Sequence, residues 1–284
     1  MHSFLINRWP ISGVIDCSFD QYKFKYYNEC DDDLPQKFYY NIPYHEKANL
    51  NLFIALSRKS KTIADIGANT GLFSILASIA NPESEIFAFE PYAANAERMK
   101  INLKLNSITN IKLYEMAIGE SDGEIELAVP KDNSVTDVAS VDMNFSKIFY
   151  PQKQWHYQRV KVKSIDSFSK ENNVHFNLIK CDVETFEMSV FLGAQRILEE
   201  DKPTILFESF FDEEGKVFFN NLLSKHKYYS YMILEQGVVY TPEGFVNSSY
   251  GSNYLMTPVK PSKTFIDFSE PEELCNSLLL PRID

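Results

Sequence analysis

The chain has 284 residues, 44% of them apolar and 14% aromatic, and a formal net charge of −11. That length fits one large α/β domain with accessory segments or two modest domains, and the apolar content is enough for a sizeable core, which excludes global disorder. The acidic balance repels phosphate backbones and argues against a nucleic-acid partner, and no run approaches the roughly 18 apolar residues needed to span a bilayer.

The opening segment, MHSFLINRWPISG, is too short and too polar for a secretory leader. Cys17, Cys30, Cys181 and Cys275 are far apart and form no CxxC pair, so they read as reduced thiols of a cytoplasmic protein. In chain order, Val14–Phe19 and Tyr22–Tyr27 read as two strands, Cys30–Asp33 as an acidic loop, and Glu46–Arg58 as a helix with Leu50, Phe53, Ile54 and Leu56 on its apolar face. Residues 1–60 are expected to form a cap on the substrate side. From Thr62 strands and helices alternate: Thr62–Ile66, a glycine-rich turn, helix Leu72–Ile79, strand Glu85–Glu90, and helix Ala93–Leu105 with Met99, Ile101 and Leu105 as its apolar positions. A third strand is expected over Ile111–Ile118, with shorter ones over Glu124–Val129 and Arg159–Lys163. Strand Asn177–Val183, helix Glu187–Leu198, strand Thr204–Glu208, helix Gly215–His226 and closing strands Tyr228–Leu234 and Tyr254–Thr257 follow. Such alternation with apolar strands predicts a mostly parallel sheet covered on both faces, with ligands at the carboxyl ends of its strands. The expected division is a cap (1–60), an α/β domain (61–260) with an insert at 131–163, and a tail (261–284). In the tail, Ser269 is a candidate N-cap for a leucine-bearing helix that packs on the core or on a second subunit.

The most informative segment is Asp65-Ile66-Gly67-Ala68-Asn69-Thr70-Gly71, where a strand ends and a helix begins. Gly67 and Gly71 permit a sharp turn and close approach of a ligand, and the free N–H groups of the helix start suit a carboxylate. A purely structural βα turn would look the same. Glu90-Pro91 closes the next strand, 25 residues after Asp65. An acid there can accept both hydroxyls of an adenosine ribose and repels a 2′-phosphate. The chain has DxGxNxG, not the GxGxxG that a dinucleotide's pyrophosphate requires. S-adenosylmethionine (SAM) has no pyrophosphate, and its amino-acid end suits this turn: Asp65 can serve the ammonium or hold the loop. Met116 and Ala117, in the run Glu115–Gly119, can pack on the purine or belong to the core. In Lys180-Cys181-Asp182-Val183-Glu184, alternate spacing on an extended strand would put both acids toward one cavity. One could hold the SAM ammonium and the other act on an acceptor. The alternative is a charge pair at the start of the next helix.

Together, ADIGANTGLFSILA (64–77), FAFEPYAANAERMKINLKLN (87–106), AIGESDG (117–123), VKSIDSF (162–168), LIKCDVETFEMSVFLGAQRIL (178–198) and PTILFES (203–209) resemble the FkbM family of SAM-dependent methyltransferases. The resemblance implies a Rossmann-like class I methyltransferase fold. It implies that Asp65, Gly67, Asn69 and Gly71 meet the methionine end, with Ala68 and Thr70 in the same loop, and that Glu90 meets the ribose. Asp182 and Glu184 fall on the family's DVEG-type motif, with Thr185 where that motif has glycine. The resemblance also implies O-methylation of a sugar or polyketide hydroxyl.

A hydroxyl is a poor nucleophile until its proton is withdrawn, so Asp182, Glu184 and His45 (beside Glu46) are the candidate bases. Mg²⁺ on Asp182 and Glu208 is an option that nothing in the spacing demands. The insert holds Tyr150, Trp155 and Tyr157 with Lys147, Lys153, His156 and Arg159. Its aromatic faces could stack on a sugar and its cations meet a phosphate or carboxylate. Alternatively Arg159, Lys161 and Lys163 are the solvated face of an edge strand, with Val160 and Val162 turned inward. The expected partner is a small-molecule or glycan acceptor. Competing readings are N- or carboxyl-methylation on the same fold, a nucleotide-dependent oxidoreductase or epimerase, and a SAM-binding protein without activity.

Overall fold

A computed structural model describes residues 11–42, 46–209, 212–245 and 253–280. Strands β1 (Ser12–Phe19) and β2 (Tyr22–Glu29) form a hairpin, followed by α1 (Asp33–Tyr39) and α2 (Lys47–Ser57). Then come β3 (Thr62–Ile66), α3 (Leu72–Ala80), β4 (Glu85–Phe89), α4 (Ala93–Leu105) and β5 (Ile111–Tyr114). Next are β6 (Ala117–Ile118), β7 (Gly123–Pro130), α5 (Met143–Phe149), β8 (Trp155–Lys163), α6 (Ile165–Asn172) and β9 (Leu178–Cys181). The chain continues through α7 (Glu187–Leu192), α8 (Gln195–Glu199), β10 (Thr204–Glu208), α9 (Glu213–His226) and β11 (Tyr229–Leu234). It closes with β12 (Gly237–Tyr240), β13 (Asn253–Thr257), β14 (Phe265–Asp267) and α10 (Pro271–Leu278).

The central sheet has nine strands in the order β14-β12-β11-β13-β10-β9-β3-β4-β5. Strands β10, β9, β3, β4 and β5 are mutually parallel, while β13 runs antiparallel to both β10 and β11. The strand order turns outward in both directions from β3 and β9, so the crevice at their carboxyl ends is where a ligand belongs. Alternation along the strands divides the core between the two faces of the sheet. Ile63, Ile86, Leu178 and Leu206 pack with α2, α3 and the hairpin. Ala64, Ile66, Phe87, Phe89, Ile179 and Phe207 pack on the other side with α6, α7, α8 and α9. Helix α2 therefore shares its core with the α/β domain: Leu50, Phe53 and Leu56 are fully buried there. Among the described residues no helix is long and apolar enough to cross a membrane, and all four cysteines are unpaired.

Four local expectations change. The run Ile111–Ile118 is two strands. Beyond Tyr114 the chain leaves the central sheet, and Ala117–Ile118 pairs with Val162 and Lys163 in a separate three-stranded sheet, β6-β8-β7. The helix expected over Glu187–Leu198 breaks at Gly193, where a Cβ would lie 2.0 Å from the Gly119 carbonyl oxygen. Helix α4 leaves Ile101 exposed and buries Asn95, Arg98, Met99 and Asn102, because this face meets backbone polar groups of the hairpin and the Thr70 turn. The C-terminal helix is preceded by Glu270, without a side-chain cap bond, in place of Ser269. That helix packs on the core through Leu274, Cys275 and Leu278.

Candidate active site

The glycine turn joins β3 to α3 across the crevice. Gly67 (φ +77°) and Gly71 (φ +98°) adopt left-handed backbone that side chains disfavour. A Cβ on Gly67 would lie 1.8 Å from the Asp182 carbonyl oxygen, so the turn packs directly against the end of β9. The amides of Gly67 and Ala68 both donate to the Phe89 carbonyl (3.0 Å each). Asp65 is buried behind this turn: its Oδ2 accepts from Ser74 Oγ at 2.6 Å, and it does not border the cavity in front. Of its two expected roles, the contacts match holding the loop. Burial pushes its carboxyl toward protonation, opposed chiefly by Lys180.

The cavity in front of the turn encloses about 900 Å³ and is bordered by Gly67, Ala68, Asn69 and Thr70. Glu90, Pro91, Met116, Ala117, Asp182 and Glu184 also border it. Glu90 is 4% exposed. One carboxylate oxygen accepts from the Asn69 amide and the other from the Tyr92 amide, each at 2.8 Å. Each oxygen keeps a further lone pair for a ligand hydroxyl. Burial pushes the Glu90 carboxyl up to about 7, and these two amides oppose the rise. Met116 and Ala117 lie at the break between β5 and β6, beside Ile125, Leu127 and Phe186, which gives that end of the cavity an apolar lining.

Strand β9 ends at Cys181, so Asp182 and Glu184 do not share an extended strand; both still reach the cavity because the chain turns sharply there. Glu184 (φ +51°) and Thr185 (φ +80°) are both left-handed. A β-branched residue at such φ is strained, and this is where the family motif has glycine. Ser140 braces the turn, its hydroxyl donating to the Glu184 carbonyl at 2.7 Å and lying 3.1 Å from Thr185 Oγ1. Burial, then the neighbouring Asp182 and Glu208, raise the Glu184 carboxyl far above the usual carboxylate range. Helix α7 starts at Glu187, whose carboxylate accepts from the Val183 amide at 3.3 Å. The acid at the helix start is thus Glu187, and Asp182 instead pairs with Lys180 at 3.1 Å.

Lys180 went unassigned in the sequence, although an ammonium inside the all-buried strand Leu178–Cys181 was itself a signal. Its Nζ donates to the Gly67 carbonyl at 3.1 Å, stands 3.7 Å from Asp65 Oδ1, and lies 4.8 Å from the centre of the Phe73 ring. Burial favours the neutral amine, but Asp182 and Asp65 outweigh it and keep Lys180 charged.

A second, wider cleft of about 1740 Å³ shares Leu34, Glu46, Asn69, Thr70, Thr136, Asp137, Asp182 and Glu184 with the first. Asp31, Asp32, Asp33, Asp132 and Glu208 also border it, against two cations among the described residues, Lys37 and Lys153. The start of the insert roofs both cavities. Asn95 bonds both the carbonyl and the amide of Thr136 (2.8 and 3.0 Å), and the Tyr92 hydroxyl donates to the Ser134 carbonyl at 3.0 Å. Tyr150 and Lys153 border the cleft. Phe149 does as well, whereas Lys147, Trp155, His156, Tyr157 and Arg159 do not. Trp155 is buried and donates to the Tyr150 carbonyl, and Tyr157 and Arg159 point outward from a strand whose Val160 and Val162 face inward. His45 lies outside the described residues. Glu46, Asp182 and Glu208 present carboxylate oxygens within 4.8 Å of one another, a donor set of the kind a hard divalent cation takes. Glu46 adds a third acid to the pair named from sequence.

A family model described as Methyltransferase FkbM domain matches residues 65–233. Methyltransferase 1 of Beauveria bassiana (strain ARSEF 2860) is 29% identical over 143 residues, which are 46% of this chain and 57% of that protein. The match thus spans little more than half of that relative's length. The 2-O-methyltransferase NoeI of Sinorhizobium fredii (strain NBRC 101917 / NGR234) is 24% identical over 177 residues, 59% of this chain and 70% of that protein. Among solved structures, methyltransferase FkbM from Methylobacillus flagellatus KT superposes with a TM-score of 0.46 at 17% identity, over 80% of this chain and 55% of that one. With more than half of its length matched, from the glycine turn to β11, the chain belongs to the methyltransferase FkbM domain family.

Proposed function

We propose that the protein transfers the methyl group of SAM to a hydroxyl oxygen of a small-molecule or glycan acceptor. The observation that carries this reading is Glu90: a buried carboxylate fixed by two backbone amides, in a cavity bordered also by residues 67–70 of the glycine turn and by Asp182, with Gly71 behind it. These residues fit a nucleoside joined to an amino acid. Glu90 offers acceptors to ribose hydroxyls, Met116 and Ala117 border the apolar adenine end, and Asn69, Thr70 and Asp182 face the methionine end. SAM, when bound, supplies a methyl carbon activated by a sulfonium. The rest is the protein's work: placing the acceptor oxygen roughly 3–3.5 Å from that carbon and withdrawing its proton. Asp182, an ion-paired carboxylate bordering both cavities, accepts that proton. Glu184, its carboxyl raised by burial and then by its acidic neighbours, is a hydrogen-bond donor to the acceptor.

The acceptor cleft also supports a choice among hydroxyl compounds. Its acids far outnumber Lys37 and Lys153, so an acceptor with a phosphate or carboxylate meets repulsion, whereas a neutral or amine-bearing polyol does not. This replaces the expectation that cations of the insert receive an anionic glycan. The name of NoeI, a 2-O-methyltransferase, supports hydroxyl chemistry. A panel of neutral polyols, amino sugars, nucleotide sugars, amines and carboxylic acids with methyl-labelled SAM tests the proposal. Labelled ether products from the first two classes support it. Labelled amines or esters, or binding without turnover on any acceptor, contradict it. The carboxylate trio Glu46, Asp182 and Glu208 favours a second reading in which Mg²⁺ orients the hydroxyl; turnover lost in EDTA and restored by Mg²⁺ selects it.

A further inference from the structure

Among the described residues, Lys180 is the one buried charged group bordering the donor cavity for which the mechanism above gives no task. Strand β9 is apolar at every neighbouring position, Leu178, Ile179 and Cys181. The Lys180 ammonium is held at the junction of β3 and β9, and its partners come from both: the Gly67 carbonyl and Asp65 from the first, Asp182 from the second. Gly67 and Asp182 border the cavity themselves.

We propose that Lys180 is a positioning residue for the amino-acid end of the methyl donor: by holding the Gly67 carbonyl and the Asp182 carboxylate, it fixes the two acceptors that the donor's ammonium requires. This rests on the donor reading above. The geometry explains why a cation lies beside a cationic ligand. Two carboxylates, Asp65 and Asp182, converge where the strands meet, and Lys180 stands between them at 3.7 and 3.1 Å. Without it Asp65 would be a buried anion with no counter-ion, and Asp182 would be free to swing away from the turn. The close approach of Gly67 to the Asp182 backbone makes the turn and the end of β9 a single rigid surface, and Lys180 clamps it from beneath. Glu90 is fixed by the Asn69 and Tyr92 amides, and the Lys180 charge lowers its carboxyl less than either amide does, so the nucleoside half of the site depends on Lys180 far less than the amino-acid end.

This difference gives the test, run at pH 8, above the Glu90 carboxyl at about 7. Calorimetry compares S-adenosylhomocysteine, which has the amino-acid end, with 5′-methylthioadenosine, which lacks it. Lys180→Met is expected to weaken S-adenosylhomocysteine by about tenfold or more, one lost charge-assisted contact's worth, and to leave methylthioadenosine within about threefold. Should the variant fail to fold because Asp65 is stranded, Lys180→Met combined with Asp65→Asn removes that anion and is expected to show the same split. In the wild-type protein, the Lys180 Nζ resonance is expected to move on adding S-adenosylhomocysteine and to stay in place with methylthioadenosine. Equal weakening of both ligands, unchanged affinity for both, or an Nζ signal indifferent to which ligand is added overturns the proposal. Wild-type protein that binds neither ligand overturns the donor reading itself.

Discussion

Replacing Glu90 with glutamine keeps the shape of the side chain and removes its charge. In the structure both carboxylate oxygens accept from backbone amides, those of Asn69 and Tyr92. Glutamine offers one oxygen and one NH₂, so one amide loses its acceptor and one ribose hydroxyl loses a charged partner. A hydrogen bond to a charged group contributes about 1.5–3 kcal/mol, and about 1.4 kcal/mol is tenfold in affinity. Glu90→Gln should therefore weaken S-adenosylhomocysteine by about 10- to 100-fold at pH 8. The pH dependence provides an internal control. Burial raises the Glu90 carboxyl to about 7, and the ionised form is the better ribose acceptor. Wild-type affinity should rise with pH through 7 and level off above it, with about a tenfold difference between pH 6 and pH 8. The glutamine variant should be nearly flat over that range. Isothermal titration calorimetry of both proteins at several pH values measures this directly. A folded Glu90→Gln that binds within twofold of wild type at pH 8, or that keeps the wild-type pH slope, refutes the role given to this residue.

The same group affects stability. Its folded pKa lies above that of a free carboxyl, so its stabilising effect is complete below about pH 4.5 and is lost as pH rises through about 7. The cost is about 3 kcal/mol for a shift of this size, and the amide that glutamine leaves without an acceptor offsets part of its removal; in a pH series without ligand the melting temperature of Glu90→Gln should therefore rise relative to wild type between pH 5 and pH 8. Ala at Gly67 would place a Cβ 1.8 Å from the Asp182 carbonyl oxygen; Gly67→Ala should abolish detectable S-adenosylhomocysteine binding, and retention of wild-type affinity would show that the turn is free to move. At Thr185, where φ is +80°, glycine should be better tolerated than alanine by about 1 kcal/mol in denaturant unfolding, because both lose the bond to Ser140 but only alanine keeps the strain. An alanine variant more stable than the glycine one contradicts that account. Asp182→Asn should lower kcat by about 100-fold or more if Asp182 takes the acceptor's proton, and steady-state turnover close to wild type would remove it from that role.

Legibility in the sequence followed physical range. The alternation from Thr62 to Glu208, the glycine turn and the acid closing β4 are local patterns, and the strands and helices expected on either side of that turn lie within a few residues of their places, whereas helices α5 and α6 were not anticipated. What failed were features decided by distant neighbours. Nothing in the apolar run Ile111–Ile118 says that its second half pairs with Val162 and Lys163 in another sheet. Nothing near Gly193 announces the Gly119 carbonyl that forbids a side chain there. The buried stripe of α4 is polar because it meets the hairpin's backbone, so an apolar-period reading chose Ile101, which is exposed. In the site, Asp31 to Asp33 and Glu46 reach the acceptor cleft from an N-terminal segment far away in sequence, and no spacing rule links them to Glu184 or Glu208. Lys180 was legible in principle, since a lone ammonium in a buried strand demands partners, and the anions near it in sequence or at the end of the adjacent strand were its partners.

A crystal structure of the protein with S-adenosylhomocysteine tests the central claim most directly. The account predicts ribose hydroxyls within hydrogen-bonding distance of the Glu90 carboxylate, the amino-acid end against the Gly67–Gly71 turn and Asp182, and the sulfur facing the acidic cleft. A ligand bound elsewhere, or bound here with its ribose turned away from Glu90, would contradict it.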